Sequence, residues 1–154
     1  MPVIKQELWS MPGFPGMIAV STNHSISKSG ALVMGRGAAL QAKQRIPGID
    51  LECGEAIRSF QQRCDGPYGF LVVRPPTDSK IGFGIFQVKY HWAEAAALEL
   101  IWYSAEGLAK WAKDHSDCAI RMNFPGIGNG HLSRQEVLPI IQDVLPQNVA
   151  VCHR

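Results

Sequence analysis

The chain has 154 residues, of which 46% are hydrophobic and 18% are charged, a composition that predicts one globular domain and excludes a disordered chain. Its formal net charge of +2 is too small for a protein that binds nucleic acid mainly by charge. No apolar run approaches the roughly 20 residues of a membrane-spanning helix, so we expect no membrane partner.

The cysteine pattern argues against a metal centre. The four cysteines stand at positions 53, 64, 118 and 152, and none forms a C-x-x-C pair. Such scattered cysteines are typical of reduced thiols in the cytosol. We therefore expect a cytoplasmic protein without a metal ion or other cofactor.

The first half of the chain alternates strand and helix patterns. Residues 2–8 predict a strand, and the apolar run at 17–22 predicts a buried one. A glycine loop at 30–37 precedes a helix that ends at Pro47 and Gly48. We expect Asp50 to cap a second helix that extends to about Cys64.

The second half repeats the alternation. Strand patterns at 69–74 and 81–89 precede the longest helical pattern, at 93–114. A buried strand at 118–124 is followed by the glycine loop 125–131. Ser133 is predicted to cap a helix reaching Leu145, which Pro139 bends or interrupts. A strand at 148–153 closes the chain, and the alternation predicts helices on both sides of a mixed sheet.

The first glycine loop fits neither common nucleotide-binding motif. Gly30 and Gly35 have P-loop spacing, but Arg36 and Gly37 stand where that motif needs Lys and Ser or Thr. Leu40 occupies the position of the last small residue in a dinucleotide-binding fingerprint. A flexible turn before a helix remains an alternative for this loop alone.

A second glycine loop occupies the same kind of position in the chain as the first. Residues 125–131 also follow a buried strand and precede a helix. Ligands of open α/β sheets bind beyond the carboxyl ends of the strands. The two loops and their helix N-termini are therefore predicted to hold a diphosphate from both sides, with no metal required.

Three segments together resemble a known family. They are residues 20–48, with Asn23, the M-G-R-G run at 34–37 and Lys43; residues 88–92, VKYHW; and residues 125–137, PGIGNGHLSRQEV. They resemble the macro domains, which bind ADP-ribose, and among these the branch of DNA ADP-ribosyl glycohydrolase antitoxins and the terminal ADP-ribose glycohydrolase. The resemblance implies one macro domain over residues 1–154, with a three-layer α/β/α fold and a mixed central sheet.

The resemblance also implies a set of ligand-binding residues. Glu7 and Leu8 match the pair beside the adenine, and Asn23 matches an Asn near the distal ribose. A surface glutamate and a turn-capping asparagine are the alternatives for Glu7 and Asn23. The two diphosphate loops match Val33, Met34, Gly35, Arg36 and Gly37, and Ile127, Gly128, Asn129 and Gly130.

Catalysis is where the sequence departs from the resembled branch. The resemblance implies a lysine nucleophile in the first loop, where this chain has Arg36, and an aspartate in the second loop, which is absent around His131. Arginine stays protonated and cannot attack as an amine. We therefore predict no covalent lysine route, and expect any hydrolysis to use water with His131 or Asn23. Lys89, His91 and Trp92 are interpreted as structural.

Three functions remain in competition. The first is a monomeric protein that binds ADP-ribose or ADP-ribosylated macromolecules without turnover. The second is a hydrolase that removes ADP-ribose from protein or nucleic acid. The third is an enzyme that binds a nucleoside triphosphate through the first loop, which the missing Lys-Ser/Thr pair makes the weakest.

Overall fold

A six-stranded sheet forms the middle layer of the computed structural model, which describes residues 1–153. The strands are β1 (Val3–Ile4), β2 (Gly16–Thr22), β3 (Phe70–Arg74), β4 (Gly82–Gln87), β5 (Ala119–Asn123) and β6 (Val149–Cys152). Their order across the sheet is β1-β6-β5-β2-β4-β3. All neighbours pair in parallel except β3, which is antiparallel to β4. The predicted mixed sheet is confirmed.

Helices cover both faces of this sheet. They are α1 (Gly37–Arg45), α2 (Ile49–Arg63), α3 (Leu98–Asp114) and α4 (Arg134–Val144), with a short 3-10 turn at Gly128–Gly130. One core joins α3 and α4 to the sheet through residues such as Leu108 and Ile141. A second core joins α1 and α2 to the opposite face through residues such as Ala42 and Ile57. The three-layer architecture is therefore confirmed.

Strand β2 lies inside the sheet and is buried on both faces, as its continuous apolar run predicts. It pairs with β4 from Met17 to Thr22 and with β5 from Gly16 to Ala19. Six of its seven residues are buried, so the direction of the chain leaving Thr22 is firmly set.

No helix within residues 1–153 is long and apolar enough to cross a membrane.

The first strand and the longest helix are markedly shorter than predicted, because backbone pairing with distant segments decides where they begin and end. The strand predicted at 2–8 is only Val3–Ile4, since its partner β6 ends at Cys152. The helix predicted from residue 93 begins at Leu98. The amides of Ala96 and Ala97 donate to the carbonyls of Gly130 and Val88, so this segment ties two loops together before the helix starts.

The helix caps were predicted with mixed success. Asp50 is not the cap of α2: the helix starts after Gly48, whose φ of 82° is left-handed, and Asp50 accepts from the amide of Leu51. Ser133 does cap α4, in a capping box with Glu136. Pro139 lies inside α4 without interrupting it.

Gly54 is the point where α2 approaches the first glycine loop most closely. A Cβ atom here would overlap the carbonyl oxygen of Gly30. We predict that Gly54→Ala lowers the free energy of unfolding by about 1–3 kcal/mol, because the rigid backbone of the loop must move. Urea denaturation measures this. Gly13→Ala is the control, since no atom lies within 4 Å of its added Cβ and its stability should stay within about 0.5 kcal/mol. Equal stability of both variants would refute the close packing.

Candidate functional site

A cavity of about 840 Å³ opens at the carboxyl edge of the parallel strands. It is lined by residues at the ends of four strands: Thr22 of β2, Val88 after β4, Asn123 of β5 and Cys152 of β6. This is where open α/β sheets bind ligands, and the volume suits a nucleotide-sized molecule.

Nearly all the predicted site residues meet at this cavity. Those that line it are Glu7, Leu8, Asn23, Val33, Gly35, Arg36, Gly37, Ile127, Gly128, Asn129, Gly130 and His131. Met34 is the exception. Its side chain is 2% exposed and packs in the core beneath α1 and α2, so it supports the first loop from the side away from the cavity.

Asn23 braces the first loop from inside. Its side-chain amide donates to the carbonyl of Val33 at 3.0 Å, and its carbonyl oxygen accepts from the amide of Ser25 at 2.9 Å. The buried Tyr68 hydroxyl donates to the backbone carbonyl of Asn23 at 2.5 Å, and burial raises the pKa of Tyr68 above its ordinary value. These bonds favour the turn-capping interpretation of Asn23 over a role in proton transfer.

The first loop presents a row of unpaired donors. Within the described chain, the backbone amides of residues 35–39 have no intramolecular acceptor, and Arg36 does not cap α1 with its side chain. All five residues line the cavity. A Cβ added at Gly35 or Gly37 would meet no atom within 4 Å. The N-terminus of α1 is therefore open to an anion.

The second loop offers a similar but smaller set. Among residues 1–153, the amides of Gly128 and Asn129 find no acceptor, and a Cβ at Gly128 would meet open space. Its other glycines serve packing, because a Cβ at Gly126 would strike Ile101 and one at Gly130 would lie 3.0 Å from Ala96. The glycines of this loop thus divide into ligand-facing and packing positions.

Only one of the two helix N-termini is available. The expectation that both would face the ligand is corrected for α4, because the Ser133 hydroxyl accepts from the Glu136 amide and the Glu136 carboxylate accepts from the Ser133 amide. The second side of the site is thus formed by the amides of its loop, and α4 contributes the Arg134 side chain instead.

His131 closes the second loop in a conformation that is uncommon for a side-chain-bearing residue. Its φ of 63° and ψ of 11° are left-handed, and its amide donates to the carbonyl of Gly128. The residue is exposed and lines the cavity. Left-handed backbone at a residue other than glycine is costly and concentrates at functional sites.

Cationic side chains surround the cavity and add to the positive potential of the amides. Arg36, Lys89 and Arg134 line it, against the carboxylates of Glu7 and Glu94. Glu7 is already paired with Arg45, at 3.3 Å between Oε1 and the guanidinium nitrogen. The cavity is therefore suited to an anionic ligand.

Lys89, which the sequence analysis interprets as structural, braces the second loop and also lines the cavity. Its side chain lines the cavity although the residue is only 7% exposed, and its Nζ donates to the carbonyls of Asn129 at 3.0 Å and Trp92 at 3.4 Å. Burial lowers the pKa of the Lys89 ammonium below its ordinary value, and the positive charge of Arg36 lowers it further.

A signal for Lys89 was present in the sequence. The residue directly follows the run of β4, and the chain leaves a parallel strand at the ligand-binding edge. Lys43, by contrast, is exposed on α1 and does not line the cavity, as predicted.

No group of three or more His, Cys, Asp or Glu side chains in residues 1–153 is arranged to hold a metal ion.

Comparison with known proteins identifies the fold. No protein-family model and no curated protein sequence matches the chain. Among solved structures, the macrodomain of Mycobacterium tuberculosis DarG is 21% identical with a TM-score of 0.71, over 99% of this chain and 97% of that one. The macrodomain of Thermus aquaticus DarG is 24% identical with a TM-score of 0.69, over 98% and 95%.

A third similar structure contains a ligand. Thermosipho africanus DarTG, in complex with ADP-ribose, is 17% identical with a TM-score of 0.66. The match covers 88% of this chain and 38% of that longer one. Sheet order, layers and these matches agree, and the chain has the macrodomain fold.

Proposed function

We propose that this protein binds ADP-ribose, free or attached to a macromolecule, in the cavity at the carboxyl edge of the sheet. The proposal depends on two groups of backbone amides that line one cavity and have no acceptor among residues 1–153. They belong to residues 35–39 and to Gly128 and Asn129. Backbone donors on two sides suit a diphosphate, whose charge is spread over several oxygens. The ADP-ribose complex of a longer protein, 38% of which matches this fold, supports the choice of ligand.

The proposed pose carries the roles implied by the family resemblance over to residues that line the cavity. The diphosphate lies between the two loops, with Arg36 beside it. The adenine lies towards Glu7 and Leu8. The distal ribose lies towards Asn23 and Lys89, where a molecule attached to it can leave the cavity.

Binding of ADP-ribose is the direct test. We predict a dissociation constant in the micromolar range, about −8 kcal/mol, measured by isothermal titration calorimetry. ATP with Mg²⁺ is the comparison ligand and is expected to bind at least about tenfold more weakly, because the first loop lacks the Lys-Ser/Thr pair of a triphosphate site. The absence of heat at millimolar ADP-ribose would refute the proposal.

Glutamate substitutions in the two loops test whether the loops form the diphosphate site. Gly35→Glu is expected to weaken binding by roughly a hundredfold or more, because a carboxylate in the open space beside the amides repels the diphosphate. Gly13→Glu is the matched variant: neither glycine has a positive φ, and an added Cβ meets no atom at either. Gly128→Glu and Gly66→Glu form a second pair, both at left-handed and open positions. Tight binding by Gly35→Glu would show that the first loop is misassigned.

Removal of ADP-ribose from an attached molecule is a second candidate function, and Lys89 is the observation that favours it. A lysine with a lowered pKa has more neutral amine at a given pH than one in water. In this route the Lys89 nitrogen bonds to the ribose C1 atom, the bond to the attached group breaks, and the leaving atom takes a proton. The bond between C1 and the ring oxygen then breaks, and the nitrogen gives up a proton while the ring oxygen takes one, which leaves a ring-opened imine. Water hydrolyses this imine, which returns the amine and releases ADP-ribose. The water route with His131 or Asn23 is the alternative.

Borohydride trapping separates these routes, because it reduces an imine to a stable secondary amine. We predict a trapped adduct on Lys89 with an ADP-ribosylated substrate, lost in Lys89→Met and retained in Lys43→Met. Its formation should rise with pH and level off at a lower pH than a surface lysine would require, since the pKa of Lys89 is lowered. Arg36→Gln should move this profile to higher pH. Release of ADP-ribose by Lys89→Met at the parent's rate would support the water route instead.

A further inference from the structure

Trp9 stands at the end of the cavity assigned to the adenine. The indole lines the cavity, is half-buried, and packs on the core beneath α1 and α2. An aromatic ring at this position offers a flat apolar surface on which a nucleobase can stack. The residue has no part in the family resemblance on which the other ligand contacts depend.

Two side chains of α1 hold the indole in place. Its Nε1 donates to Oε1 of Gln41 at 2.8 Å, and the Arg45 guanidinium lies 5.0 Å from the ring centroid. Gln41 and Arg45 are one helical turn apart on α1. The same helix therefore holds the N–H edge of the indole through Gln41 and contacts its ring through Arg45. Arg45 lies over the ring and does not line the cavity, whereas Trp9 does.

Glu7 is poorly placed to recognise a base by hydrogen bonding. Its side chain is 64% exposed and its Oε1 accepts from Arg45 at 3.3 Å. A hydrogen bond to an exposed carboxylate replaces one to water and adds little affinity. Stacking of a base on a half-buried indole removes apolar surface from water. Its contribution to affinity is not offset by the loss of a hydrogen bond to water.

We propose that the cavity holds the base of the nucleotide by stacking on Trp9, and that Glu7 does not read the exocyclic amine. This inference rests on the proposed function, since it concerns the base of the same ligand. Its consequence is relaxed base selectivity: the hypoxanthine analogue of ADP-ribose, which lacks the amine, binds nearly as well as ADP-ribose itself.

The test combines variants with ligands in one calorimetric series. The parent should bind ADP-ribose and its hypoxanthine analogue with dissociation constants within about threefold of each other. Trp9→Leu should weaken both by roughly tenfold or more, the range expected for loss of one base–aromatic stack. Trp9→Phe keeps a ring and should restore most of the affinity. Trp102→Leu is the matched control, because Trp102 is exposed on α3 and does not line the cavity.

The outcomes separate this inference from the proposed function. If the parent fails to bind ADP-ribose, the proposed function falls. If the parent binds but folded Trp9→Leu binds equally well, or if the hypoxanthine analogue loses more than about tenfold in affinity, the base is not recognised by stacking and the inference is wrong. Quenching of indole fluorescence by ADP-ribose is a second readout, expected to be reduced in Trp9→Phe and retained in Trp102→Phe.

Discussion

The parallel pairing of β2 with β4 and β5 is the constraint on which the site depends. Because these strands run in one direction, all three end at the same edge of the sheet. Both glycine loops and the segment carrying Lys89 leave from this edge. The burial of β2 on both faces fixes the point at which Asn23 begins the first loop. A shift in this pairing would separate the two rows of amides.

Backbone donors dominate this cavity, and side chains mainly hold them in position. Asn23 braces the first loop through Val33, while Lys89 and Ala96 bind the carbonyls of the second loop at Asn129 and Gly130. These bonds fix the positions of the amides, which would lower the entropic cost of binding the proposed ligand.

The sequence predicted the layers, the loop positions and the Ser133 cap, because these depend on local patterns of apolar residues, glycines and capping side chains. It failed where a distant segment decides the outcome. The helix predicted from residue 93 starts later because Gly130 and Val88 take the amides of Ala96 and Ala97. The inward turn of Met34 likewise depends on tertiary packing, which no short motif records.

A crystal structure with ADP-ribose would test the central claim most directly. The account predicts diphosphate oxygens within hydrogen-bonding distance, about 2.7–3.2 Å, of amides in both residues 35–39 and the Gly128–Asn129 pair. It also predicts that the loops keep their conformation, because they are already braced. A diphosphate held by the amides of only one loop, or lying outside the cavity, would contradict the account.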